Sequence, residues 1–486
     1  MLLPYLFLHA FLVQIGGGWP LVDPTLSIAS NGTALLSIAD TSATCTDIAI
    51  CRTRYTIIWS SLVTILACVW SAVHRNIPGP ARSGVSRARR VVGRVLEVVK
   101  IVVVTLLVPE WVLAWAVRQF LNARDLAEEL EGARFKAQQA WKAEGWVEEE
   151  DGVSRVKVDS EDDETGERVP LADIHHIQRR GVNGNRLTVD ECVGRLRCKW
   201  TTQHGFFVVM GGYLHYEKGK PKHPLSRTDV VALVESGDLV PPLQEEIQGW
   251  SQGDALSKAL AVIQTLWFVV QCIARRAEGL PIMQLEVVTL AYTTITVAMY
   301  MAWWYKPQNI GGPIRVAVPE LPERGRLAQE DWYTRVFYVI IGGQDDILDL
   351  RREPCVPTFY SGGIAGGTND IFADTVALVV AMVFGAIHCA AWNYNFPSYT
   401  EQLIWRISSV SLVGVPGILL LGLLLLWGCG YPYPLWYLVV PVFALSALVY
   451  VAARLVLLIL SFTTLRAPPY GAYEAVRWTL LIPHFS

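Results

Sequence analysis

IVVVTLLVPEWVLAWAVRQFL, residues 101–121, is apolar enough to enter a membrane and carries Pro109 and Glu110 near its middle. As one helix it would be about 30 Å long at ~1.5 Å per residue, the thickness of the hydrocarbon layer. A proline there removes a backbone donor and kinks the helix, and a glutamate at mid-bilayer is costly. The stretch reads either as a full crossing or as a broken, re-entrant segment. If it is re-entrant, everything after residue 121 changes sides.

Six further apolar stretches surround it: Tyr55–Val73, Leu256–Ala274, Ile282–Trp304, Thr375–Trp392, Ser408–Trp427 and Trp436–Ser461. Each is long enough to span. The 486-residue chain is 52% hydrophobic and only 17% charged, where soluble domains carry about 25% charge. Its 18 tryptophans, many flanking the apolar runs, suit the aromatic belts of membrane interfaces. The expected fold is an all-α integral membrane protein of about seven transmembrane helices, with a polar subdomain inserted between spans two and three. A net charge of −3, with no basic cluster interleaved with aromatics, argues against nucleic acid as a partner and leaves the lipid bilayer.

The organisation follows from these runs. Residues 1–18 suit a signal peptide, since Leu2–Ile15 is too short to span and Gly16–Gly18 supply small residues for cleavage. An N-tail at 19–54 carries an acceptor for glycosylation at Asn31 and a possible disulfide, Cys45–Cys51, in an oxidising lumen. Residues 55–121 hold the first two spans, and 122–255 form the polar subdomain with a disordered acidic linker at 147–170. Spans three and four fill 256–304. A polar loop with an interfacial helix covers 305–374, spans five to seven cover 375–461, and 462–486 is a C-terminal tail.

Arginine placement gives an orientation. The connection 74–97 contains Arg75, Arg82, Arg87, Arg89, Arg90 and Arg94 and is expected in the cytosol. With residues 101–121 crossing, Arg275, Arg276, Arg406, Arg466 and Arg477 fall inside too. That places the N-terminus in the lumen or outside the cell, along the secretory pathway or at the plasma membrane, and the C-terminus inside.

Chemistry is sparse. No P-loop, dinucleotide-binding glycine pattern, kinase signature or nucleophile elbow is present. The spacing of Cys192, Cys198 and His204 fits no standard zinc pattern, and no cofactor is expected. Ionisable residues inside apolar spans are the default candidates for function. Glu110, Glu286 and His388 qualify, as a possible ligand or ion path. His388 lies beside a row of small residues, Ala377, Ala381, Gly385, Cys389 and Asn393, spaced four apart. Such a row lets a neighbouring helix approach closely, so Cys389 needs no chemical role. Asp345, Asp346 and Asp349 spell DDxxD, and Asp370 and Asp374 spell DxxxD, which could hold Mg²⁺ against a diphosphate.

The stretches HGFFVVMGGY (204–213), SKALAVIQTLWFVVQCIARR (257–276) and GAIHCAAWNYNFPSYTEQLIWR (385–406) resemble a group of fungal multi-span membrane proteins with no assigned activity. The resemblance implies a multi-pass membrane protein and draws notice to His388, Glu401 and Arg406, but it supplies no catalytic residue. The favoured expectation is a non-enzymatic protein that binds, senses or moves a small ligand or ion. The alternative is a membrane-embedded enzyme acting on a lipid or prenyl diphosphate with Mg²⁺ at the DDxxD motif.

Overall fold

A computed structural model describes residues 52–80, 86–143, 146–149, 152–155, 198–217, 220–251, 255–316, 331–363, 368–428, 433–469 and 471–476. The expected signal peptide, Asn31, Cys45 and Cys51 lie outside these residues, as does most of the acidic linker. The described chain is largely helical. Its helices are α1 (Arg54–Ala72), α2 (Arg87–Leu107), α3 (Pro109–Ala143), α4 (Thr202–Val209), α5 (Arg227–Glu235), α6 (Gln244–Trp250), α7 (Ala255–Ala277), α8 (Gln284–Ala302), α9 (Trp332–Ile341), α10 (Gln344–Ile347), α11 (Thr368–Cys389), α12 (Tyr399–Gly428) and α13 (Tyr433–Thr463). A hairpin of β1 (Trp146–Glu149) and β2 (Gly152–Arg155) occupies the start of the segment expected to be a disordered linker. A second sheet has the order β4–β3–β5, from β3 (Tyr213–Glu217), β4 (Lys220–Pro224) and β5 (Ile314–Val316).

Among the described residues six helices are long and apolar enough to cross a membrane: α1, α8, α11, α12, residues 259–277 of α7, and the stretch from Pro441 in α13 to Arg466. The chain is thus a multi-pass membrane protein. Residues 101–121 are not one of the six; they form a broken segment, one of the two readings of this stretch. The helix breaks at Val108, whose backbone leaves helical geometry, and α3 restarts with Pro109 in its first turn. The reason is local: proline fits the start of a helix, where its missing N–H is not needed, and Glu110 beside it faces the positive helix end.

Contacts along the helices fix the path of this broken segment. At one end of the bundle, here the tail end, Arg52 pairs with Glu286 at the start of α8, and its N–H donates to the Tyr473 carbonyl at 2.5 Å. At the other end Lys306, just past α8, meets Asn76, just past α1, and Gln119 in α3. Between these ends the Leu106 carbonyl accepts from the hydroxyl of Tyr292, a residue about 12 Å along α8 at ~1.5 Å per residue. That is near the bundle's middle. Lys100 in α2 lies over the ring of Phe359, which itself packs on Trp111 and Trp115 of α3. So α2 descends to mid-bundle, turns at Val108, and α3 climbs back beside it. Residues 52 and 473 therefore meet at one end of the bundle.

The core is built around α3. Val112, Leu113, Ala116, Ala123, Leu126 and Leu130 are fully enclosed. Its first half packs between α8 and α11, and its second half carries α4 and α5. These pieces and the small sheet form a cap over the bundle. HGFFVVMGGY becomes buried α4 and the turn into β3, and Ile314 of β5 donates to the Gly212 carbonyl at 2.7 Å. Ser226 caps α5 by accepting from the Asp229 N–H, and Asp229 in turn binds Arg351 at 2.9 Å.

Candidate functional site

The break between α2 and α3 leaves carbonyls without helical partners in the middle of the bundle, where water is scarce. The fold supplies donors from distant helices. Tyr292 serves Leu106, and Arg454 of α13 donates to the Leu107 carbonyl at 3.0 Å. The same guanidinium reaches Glu110 at 3.0 Å and the Tyr450 hydroxyl at 3.1 Å. Its carbon lies 4.1 Å from the ring centre of Phe384 in α11. The Arg454 side chain is 4% exposed and that of Glu110 12%. An ion pair so enclosed gains from mutual attraction and from hydrogen bonds that compensate its lost hydration.

His388 adjoins this centre through Phe384, with ring centres 4.8 Å apart. Its Nδ1 lies 2.8 Å from the Phe384 carbonyl, one turn back, and its own carbonyl accepts from Trp405 at 3.1 Å. Glu286 has a different setting. It pairs with Arg52 and accepts from the Met283 N–H at 2.9 Å, at the tail end. Arg275 nearby donates to the carbonyls of Pro281, Gly471, Ala472 and Glu474. The structure thus brings Glu110 and His388 to one centre and places Glu286 at another.

A second polar centre joins the bundle to the cap. Lys306 is buried and donates to the His74 carbonyl, to Gln119 at 2.7 Å and to Asn76 at 3.3 Å. Its ammonium lies 4.9 Å and 4.8 Å from the ring centres of Trp115 and Trp303. Burial pushes this amine well below the ordinary lysine range. Nearby, Arg118 donates to the Gly342 carbonyl at 2.6 Å and pairs with Asp374 and, at 3.6 Å, with Asp370. Gly342 ends α9 in the left-handed region, and a Cβ there would lie 1.9 Å from the Arg118 guanidinium, so glycine is required twice over.

Two aspartates of the DDxxD motif, Asp345 and Asp349, serve as internal acceptors. Asp345 takes the Ser361 N–H and hydroxyl and the Gly363 N–H, at 3.1, 2.6 and 2.8 Å, which orders the loop before α11. Burial raises its carboxyl against the pull of those donors. Asp346 is exposed, and Asp349 accepts from the Arg351 N–H at 3.1 Å. Among the described residues no group of three or more His, Cys, Asp or Glu side chains is arranged to hold a metal ion. Glu401 pairs with Arg466 at 2.7 Å, and Arg406 donates to the Trp392 carbonyl at 3.0 Å, so both brace the tail end.

The row of small residues on α11 meets α12. A Cβ on Gly385 would stand 2.6 Å from the Leu412 carbonyl carbon, while Ala377 and Ala381 are buried along the same row and Cys389 is half-buried. Sequence reasoning missed Arg454, although VYVAARLVLLI is an apolar run with one charge, the signal that flagged Glu110. Tyr292, Tyr450 and Lys306 carried no such signal.

Comparison with curated proteins and with solved structures finds no similar chain for either. A family pattern does match, over residues 32–161 and 172–322, which takes in α1–α3, the cap, α7 and α8. The chain belongs to this family, DUF8562, a family of unknown function.

Proposed function

We propose that the protein is a non-enzymatic membrane protein that binds and passes a small ion or ligand at the centre formed by Glu110, Arg454, Tyr450 and His388. The observation that carries this reading is the helix break at half depth, with an ionised pair bound to it. Discontinuous helices whose ends meet at the bilayer midplane are a recurrent way to build ion and substrate sites, because broken turns offer both carbonyls and a helix N-terminus. Charges buried at that depth are expensive and are the default functional candidates. Glu286, with its own partner at the tail end, lies outside the site.

In this reading α2 and α3 form a re-entrant hairpin entering from the cap end. The arginine-rich connection 74–97 then puts the cap in the cytosol, and both the N-tail with Asn31 and the segment after residue 473 on the lumenal or external side. The resemblance of the quoted stretches to a group of fungal multi-span membrane proteins agrees with a membrane location and adds no chemistry.

Two experiments test the proposal. Glycosylation acceptors placed within 148–167 are expected to stay unmodified, and one placed after residue 476 to be modified; the reverse pattern rejects the topology. For activity, the purified chain in vesicles is challenged with jumps of H⁺, Na⁺, K⁺ or Cl⁻. An ion signal above that of empty vesicles, lost in Glu110→Gln, is expected. A signal equal to that of empty vesicles for every ion, or one unchanged in Glu110→Gln, rejects the ion-path reading.

A further inference from the structure

In the outward half of α2, residues 87–100, the side chains described are exposed at every position but Val98. Val91, Val92, Val95, Leu96 and Val99 are exposed apolar side chains. The same fourteen residues carry Arg87, Arg89, Arg90, Arg94 and Lys100 against one acid, Glu97. A helix that mixes valines with arginines in this way does not suit water on every side, and among its described side chains none before Val98 and Ile101 is turned into the bundle.

Its depth follows from the hairpin. Leu106 and Leu107, bound by Tyr292 and Arg454, mark mid-bundle. Half of the hydrocarbon thickness is about 15 Å, or roughly ten residues of helix. That puts the neighbourhood of Glu97 at the hydrocarbon boundary. Residues 87–94 then fall about 5–15 Å beyond it, in the headgroup layer and within a Debye length of the lipid phosphates. The valines near residue 95 are at the acyl boundary, and the arginine-bearing turns of residues 87–94 lie at headgroup depth.

We propose that residues 87–100 form a binding surface for anionic phospholipid in the leaflet at the cap end. The placement rests on the re-entrant path of α2 given above. Charge complementarity selects the occupant: four arginines within eight residues, without an acid among them, attract anionic headgroups, at about fivefold in binding per basic residue.

The test uses the full chain, purified in detergent and depleted of lipid. Native mass spectrometry reads its retention of phosphatidylserine against phosphatidylcholine. The wild type is expected to prefer phosphatidylserine, less so as salt rises. The combined variant Arg87→Gln, Arg89→Gln, Arg90→Gln, Arg94→Gln is expected to lose at least about tenfold of that preference with an unchanged melting transition. Arg276→Gln, at the tail end, is expected to keep it. An unaltered preference in the fourfold variant overturns the proposal. So does a change in oligomeric mass without a change in lipid retention, which would assign the face to a second copy of the chain. The acceptor-site experiment reads the path of α2 and α3 separately, so failure of the topology and failure of lipid recognition are distinguishable.

Discussion

Replacing Arg454 with methionine removes the donor that closes the break between α2 and α3. The side chain's length is roughly kept, and contact with Phe384 survives in part. What is lost is the bond to the Leu107 carbonyl, the pair with Glu110 and the bond to Tyr450. Hydrogen bonds between membrane helices contribute about 0.6–2 kcal/mol each. Leaving Glu110 charged and unpartnered at half depth costs more, about 3–5 kcal/mol for a broken buried pair. Arg454→Met should therefore destabilise by about 3–5 kcal/mol. Glu110→Leu should cost somewhat less, since Arg454 keeps a carbonyl, a hydroxyl and an aromatic face. The double variant removes both charges and should cost at least about 2 kcal/mol less than the sum of the singles. The assay is a double-mutant cycle on unfolding in mixed micelles, followed by tryptophan fluorescence. A coupling energy below about 0.5 kcal/mol would refute the claim that this pair holds the hairpin at mid-bundle.

Gly385→Ala should destabilise by about 1–3 kcal/mol, because its Cβ meets the Leu412 backbone, which cannot rotate away. Gly414→Ala, whose Cβ meets nothing within 4 Å, should be neutral or slightly stabilising, and thermal melting of the two variants decides. The cap should lose stability in acid. His204 is buried, with its Nδ1 accepting from the Thr201 N–H at 3.1 Å and its Nε2 2.8 Å from the Pro242 carbonyl, and burial lowers its pKa. Above its unfolded value of about 6.5 neither state binds the proton. As pH falls below that, the unfolded chain takes it up first, so stability declines by up to about 1.4 kcal/mol per pH unit until the folded pKa is reached. His215 shifts the same way. Melting between pH 7.5 and 5 should show this slope, and His204→Gln should flatten it.

The sequence by itself determined the membrane as solvent and located each of the six long apolar helices, with ends displaced by up to nine residues, as at Tyr399 against the expected Ser408. Hydropathy is a sum over neighbours in the chain, and backbone groups in hydrocarbon must bond within their own segment, so a long apolar run leaves little choice. It also located the fault at Pro109, because proline's missing donor is a property of one residue. Tertiary structure alone decided what the fault became. Arg454 lies 344 residues beyond Glu110, and nothing local announces that its guanidinium will meet Leu107 and Glu110. The break itself is local, but the donors that meet its free carbonyls at mid-bundle come from α8 and α13. The aspartates of DDxxD show the same limit: their spacing allows a cation, but the fold turned Asp345 toward the Ser361 and Gly363 backbone. Periodicity and composition act along the chain, whereas the partners of a buried charge are chosen across it.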